Sequence, residues 1–160
     1  MRNIKQHYNK LYAILLVLLL MGCTTKFVNE QGTQLPPGLG YAVQALEQAK
    51  NIYDPIMTTI GKMHCDGKIT NEQAWKVIKS ARIFKISIDA LRVGIMEWKL
   101  SIDNKRDTEP PKFATYTHLI ELSRDAIVLL NDYNAITGKK IKIPDILTED
   151  SIKFIFGEVK

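Results

Sequence analysis

The residues best suited to chemistry sit together at His64-Cys65-Asp66. Imidazole, thiolate and carboxylate are the donors that bind zinc and related metals, in sites of three or four ligands held in fixed geometry. Past residue 23, the only other histidine is His118, on a separate predicted helix, and no cysteine follows Cys65. No metal centre is expected. Asp66-Gly67 also invites a calcium-loop reading. With Gly67 sixth, the first position is Lys62, the third His64 and the twelfth Gln73. Calcium needs oxygen donors and a closing bidentate glutamate, so Lys62 and Gln73 argue against it. A turn between helices fits better, with Asp66-Gly67 bending the chain and Thr70 capping the next helix. Covalent catalysis needs a nucleophile beside a base and an orienting group. Serine, histidine and aspartate all occur, yet no local arrangement unites three of them. Glu121, Asp125 and Asp132 are expected on a solvated helix surface, and no glycine-rich phosphate loop is present. The expectation is a non-enzymatic protein without catalytic residues or cofactor.

One thiol has a more specific setting. Arg2, Lys5 and Lys10 lie in a first stretch without acids, and residues 11–22, LYAILLVLLLMG, carry no charge. A basic segment followed by a short apolar one is the pattern of an export signal. A spanning helix needs about 20 apolar residues, more than this run supplies before the polar Thr24-Thr25-Lys26. The run ends Leu20-Met21-Gly22-Cys23, which resembles the bacterial lipobox: an aliphatic residue, a small residue before the cleaved bond, then cysteine. The resemblance implies that Cys23 receives a diacylglyceryl group, that residues 1–22 are removed, and that the new amino terminus is acylated, palmitate being a typical chain. Each buried CH₂ contributes about 0.8 kcal/mol, and two or more chains hold stably where one does not. Met21 is less usual at its position than a smaller residue. Thr24, in place of aspartate, implies an outer-membrane destination in a Gram-negative host, facing the periplasm or the surface.

Removing that signal changes the charge. The chain has 22 Lys+Arg against 17 Asp+Glu. The signal holds three bases and no acid, which leaves 19 against 17, a net of +2. A nucleic-acid surface requires clustered basic residues. The nearest cluster, Lys139, Lys140 and Lys142, falls beside a predicted helix end, where cations suit the helix dipole. No nucleic-acid partner is expected. Residues 23–40, with Pro36-Pro37 and little periodicity, read as a flexible lipidated tether. Its 17 steps span roughly 55–60 Å when extended. Residues 41–160 are long enough for one domain with its own core. With Cys23 acylated, Cys65 has no internal disulfide partner, and it is expected to be buried or shielded at a helix end.

The domain reads as helices throughout. Leu39, Val43, Leu46, Ala49, Tyr53, Ile56, Ile60 and Met63 recur at three and four residues. The phase survives Asp54-Pro55, which predicts one helix kinked at Pro55. A second, longer stripe runs Ala74, Val77, Ala81, Phe84, Ile88, Leu91, Ile95, Trp98 and Ile102. Trp75, Ile78, Val93, Met96 and Leu100 are read as widening it on one flank. Thr70 and Gln73 stand at capping-box spacing. After Pro110-Pro111, a third helix is expected over about 112–137, facing inward through Phe113, Tyr116, Leu119, Ala126, Leu129, Tyr133 and Ile136. Gly138 suits its end. Thr148 then starts a short helix in which Ile152, Ile155 and Phe156 cover the bundle. Short connections imply antiparallel neighbours. The fold expected is an all-α, antiparallel three-helix bundle with a kinked first helix and a short C-terminal closing helix.

The stretch GKITNEQAWKVIKSARIFKISIDALR (67–92), following one helix and a lipobox, resembles small helical lipoproteins encoded in tailed-phage and prophage regions. There, a Gly-x-Ile-Thr turn joins two helices. The resemblance covers about a third of the chain and implies a setting more than a mechanism. The functional expectation is a lipid-anchored envelope protein whose bundle binds a partner protein, with Trp75 as the candidate contact. The alternatives are a self-associating structural lipoprotein, with the second helix building a homo-oligomer, and an enzyme acting on envelope polymers.

Overall fold

The computed structural model describes residues 35–157. The segment read as an export signal, Cys23 and most of the segment read as a tether lie outside the described residues. Four α-helices succeed one another: α1 (Pro37–Cys65), α2 (Asn71–Asp103), α3 (Glu109–Thr137) and α4 (Glu149–Phe156), with a 3₁₀ turn at Asp145–Leu147 before α4. The three long helices pack on one another as a bundle. Gly38, at the start of α1, lies against Trp98, near the end of α2. Lys76, near the start of α2, pairs with Asp132, near the end of α3. Successive helices are therefore antiparallel. Among the described residues, no helix is long and apolar enough to cross a membrane.

Local chemistry sets the boundaries. α1 begins at Pro37, inside the stretch read as tether, because Pro37 is pre-set for a first helical position. Leu39 and Gly40 are already buried. Ala42, Ala45 and Ala49 of α1 are fully buried, while Val43 and Leu46 beside them are half-buried. Pro55 lies within the uninterrupted helix on its exposed side. The carbonyl it leaves unpaired, that of Asn51, is on an exposed residue that water can reach.

The turn from α1 to α2 closes as expected. Gly67 is left-handed (φ 66°). Its N–H donates to the His64 carbonyl, and the Lys68 N–H donates to that of Met63. This is the paired Schellman arrangement. Thr70 Oγ1 then accepts from the Gln73 N–H at 3.2 Å, and Gln73 Oε1 accepts from the Thr70 N–H at 2.9 Å. α2 ends in the same geometry without a glycine. Lys105 is left-handed (φ 53°), and the Arg106 N–H donates to the Ser101 carbonyl. α3 starts at Glu109, earlier than expected, because Pro110 and Pro111 sit in the first turn, where no N–H has an intrahelical partner.

The core is lined by Val77, Phe84, Leu91 and Trp98 of α2, Leu119, Leu122, Leu129 and Tyr133 of α3, and Ile56 and Ile60 of α1. Small residues bring α2 and α3 close. Ser80, Ser87 and Gly94 recur every seven residues on the buried side of α2. A Cβ on Gly94 would meet Thr115 Oγ1 at 3.1 Å. Phe113, expected inside, is exposed, because it stands about 200° around α3 from the buried Thr115.

The tail closes one end. Asn134 holds both backbone groups of Ile141, donating from Nδ2 at 2.8 Å and accepting at Oδ1 at 3.0 Å. The Tyr41 hydroxyl donates to the Ile146 carbonyl at 2.6 Å. Burial lifts the pKa of that hydroxyl to about 12, with a hydrogen bond to Ser151 pulling the other way. α4 is capped by Thr148 and inserts the buried Ile152. Phe156 packs among Tyr41, Trp98 and Tyr116, with ring centroids 5.6–6.5 Å away. Ile155, expected to cover the bundle, is 39% exposed.

Candidate partner-binding face on α2

The flank read as widening the core stripe is a separate face. Phe84 lies nine residues beyond Trp75, about 180° around the helix. The residues opposite the core run Trp75, Lys79, Arg82, Ile86, Asp89, Val93, Met96 and Leu100, in alternating steps of four and three. That is the spacing of a helical contact seam. Five of the eight are apolar, and each of those five is between 53% and 69% exposed. Ile83 borders the row and is 46% exposed. Ile86, Val93, Met96 and Leu100 form a run broken only by Asp89, with Trp75 set apart behind Lys79 and Arg82. Single exposed apolar residues are ordinary, and such a run is a candidate contact surface. Sequence reasoning found Trp75, Val93, Met96 and Leu100 but assigned them to the core side. It missed Ile83 and Ile86. The available signal was the second seven-residue register running through Ile86, Val93 and Leu100.

Trp75 stands at the N-terminal end of this row, between two grooves. One, of about 630 Å³, includes Gln73, Lys76, Lys79, Arg82 and Ile136 in its walls. The other, of about 170 Å³, includes Met57, Ile60, His64 and Ile78. The Arg82 guanidinium lies over the indole, 5.2 Å from its centroid. A cation at that distance is attracted by the ring face and leaves the ring edges open to the grooves. Lys76 is held at 3.1 Å by Asp132. Lys85 and Asp89 pair at 2.7 Å along the helix. Lys79 and Glu97 have no ion-pair partner among the described residues.

The remaining reactive residues are dispersed. His64 Nε2 is 2.6 Å from Asn71 Oδ1, at the start of α2. His118 lies against Gly94, 23 residues along the same helix or about 35 Å away. It approaches Glu121 at 3.4 Å. The two histidines therefore cannot share a metal. Among the described residues, no group of three His, Cys, Asp or Glu side chains is placed to hold one. Cys65, expected to be shielded, is exposed. It lies five positions past the buried Ile60, about 140° around the helix. Of the three carboxylates expected on a solvated face, Glu121 is exposed as expected, while Asp125 and Asp132 are half-buried and have structural partners. Asp125 accepts a hydrogen bond from Ser87, and Asp132 accepts from Lys76, so both tie α3 to α2. The chain matches no protein-family model, no curated protein and no solved structure.

Proposed function

We propose that this chain is a lipid-anchored, non-catalytic envelope protein whose bundle receives a partner protein on the outer face of α2. The row of five exposed apolar side chains from Trp75 to Leu100 carries the reading. A helix already packed on two neighbours has no folding reason to keep such a row. The anchor is read from Leu20-Met21-Gly22-Cys23 behind a basic, then apolar, segment. The phage-lipoprotein likeness of residues 67–92 favours a bacterial envelope, and Thr24 favours the outer membrane where the host has one.

Two measurements test the two halves. Cys23→Ser abolishes labelling by a palmitate analogue and moves the protein out of the membrane fraction. Unchanged labelling and fractionation would remove the anchor. A photo-crosslinker at position 96 traps a partner in native membranes, and Trp75→Ala reduces the trapped fraction. No adduct at position 96, or one indifferent to Trp75→Ala, would remove the face.

A further inference from the structure

We infer that the occupant of this face is a second copy of the chain, laid antiparallel along α2. The inference rests on reading the outer face as a contact surface and goes on to name what covers it. Charge order carries it. Along the row from Trp75 onward and its Ile83 flank, Lys76, Lys79 and Arg82 come first, and Asp89 and Glu97 come later, while Glu72 precedes them in the first turn. A parallel pair would set Lys79 on Lys79, Arg82 on Arg82 and Asp89 on Asp89. Like charges facing one another in a contact are strongly disfavoured. Reversing one copy places the basic half of each against the acidic half of the other.

One register uses the whole row. Trp75 meets the partner's Leu100, Lys79 the partner's Met96, Arg82 the partner's Val93 and Ile86 the partner's Asp89. The twofold axis passes between positions 87 and 88, so each pair occurs twice. The stems of Lys79 and Arg82 cover apolar side chains while their heads reach the partner's Glu97 and Asp89. Ile83 meets the partner's Ala90 on one flank. The other flank brings Lys85 near the partner's Arg92, a like-charge contact that Asp89, 2.7 Å from Lys85 in its own helix, offsets only in part because it also faces the partner's Arg82. The groove beside Trp75 accepts the partner's Leu100, which would otherwise remain 56% exposed.

The contact is narrow. A 25-step helix face is about 38 Å long and about 11 Å wide, short of the roughly 800 Å² per partner of a standard interface. A weak pair is therefore expected, in the micromolar range. Anchoring both copies to one bilayer would raise their effective concentration and favour pairing.

Disulfide trapping tests the register, using the full chain in detergent with Cys65→Ser and adducts mapped by mass spectrometry. Ile83→Cys chains mixed with Ala90→Cys chains form an 83–90 bridge, while neither forms a bridge to itself. Sedimentation gives a concentration-dependent dimer. Lys79→Glu or Glu97→Lys weakens it about tenfold, and the combined Lys79→Glu/Glu97→Lys restores it. All four positions are on the helix surface, and circular dichroism checks the fold. A Val93→Cys self-bridge would mean a parallel pair and overturn the proposal, as would a monomer up to about 100 µM. A monomer that still shows a Trp75-dependent adduct to a different protein would overturn this inference while leaving the proposed function intact. Loss of that adduct as well would remove both.

Discussion

α2 carries two apolar rows on opposite sides. The inner row, Val77, Phe84, Leu91 and Trp98, is at most 3% exposed. The outer row, Trp75, Ile86, Val93, Met96 and Leu100, is more than half exposed throughout. Both repeat with helical spacing, and both hold large side chains. Their difference teaches that helical spacing of apolar residues does not by itself say whether a face is buried. The bundle uses the inner row, where Ser80, Ser87 and Gly94 beside it let α3 approach closely. The outer row has no such small residues, and among the described residues only its Trp75 end adjoins other helices, at Ile136 of α3 and Met57 of α1.

Truncating one large residue on each row gives the widest separation. Phe84→Ala removes a fully buried ring and is expected to destabilise the fold by about 3–5 kcal/mol. Ile86→Ala, at 69% exposure, is expected to stay within about 0.5 kcal/mol in the monomer. Denaturant unfolding at low protein concentration measures both. Similar costs would mean that the outer row is covered within the same chain, and the contrast between the rows would fail.

A neighbouring pair of positions sharpens the boundary between the rows. Gly94 and Val93 are adjacent in sequence and about 100° apart around α2, which puts Gly94 on the buried side and leaves Val93 exposed. Gly94→Val pushes into Thr115, whose hydroxyl already donates to the Pro111 carbonyl at 2.8 Å. Overpacking of this kind costs about 1–3 kcal/mol. Val93→Gly removes no core contact and costs only helix propensity, up to about 1 kcal/mol. Thermal unfolding of the two variants should therefore rank Gly94→Val as the more damaging.

The turns at the two ends of α2 give a smaller test. Both reverse the chain through a left-handed residue, Gly67 at one end and Lys105 at the other. A side chain in that conformation costs about 1–2 kcal/mol relative to glycine. Lys105→Gly should therefore stabilise the protein by about 1 kcal/mol and Gly67→Ala should destabilise it by a similar amount, both readable as midpoint shifts in urea.

Much of the architecture was legible because local rules and packing agree there. The Thr70/Gln73 capping box, the Gly138 stop and the unbroken 3–4 spacing each fix a boundary or a face by themselves. Other features depend on what lies across the interface. Nothing in the sequence around Lys105 announces a left-handed residue, since the usual glycine is absent. Asp125 and Asp132 look like surface acids until α2 brings Ser87 and Lys76 to them. Trp75 was legible as a candidate because it stands off the main stripe. Ile86 was not, because beside Lys85 and Ser87 it reads as an isolated surface isoleucine. The outer row emerges only once the inner row has been assigned to α1 and α3.

The two tryptophans offer the finest probe, one per row. α4 closes over Trp98 through Phe156, and Glu149 fastens α4 to α3 by accepting from Arg124 at 2.8 Å, while it also accepts from Lys153 within α4 at 3.2 Å. Those bonds, Arg124 first, hold the Glu149 carboxyl below its ordinary pKa of 4.5. A carboxylate with a lowered folded pKa adds stability that is fully present above its unfolded value and is lost as pH falls through the folded one. Acidification below about 4.5 should therefore loosen α4 and alter the emission of Trp98, read in a Trp75→Phe variant. Trp75, read in Trp98→Phe, has no packing contact with Phe156 to lose. The effect should be small, because the ion pair is solvated, and about 1 M salt should shrink it further. Glu149→Gln should remove the acid response of Trp98 and leave Trp75 unchanged. A matching response at Trp75 would mean that the two faces of α2 move as one unit and that their separation is only geometric.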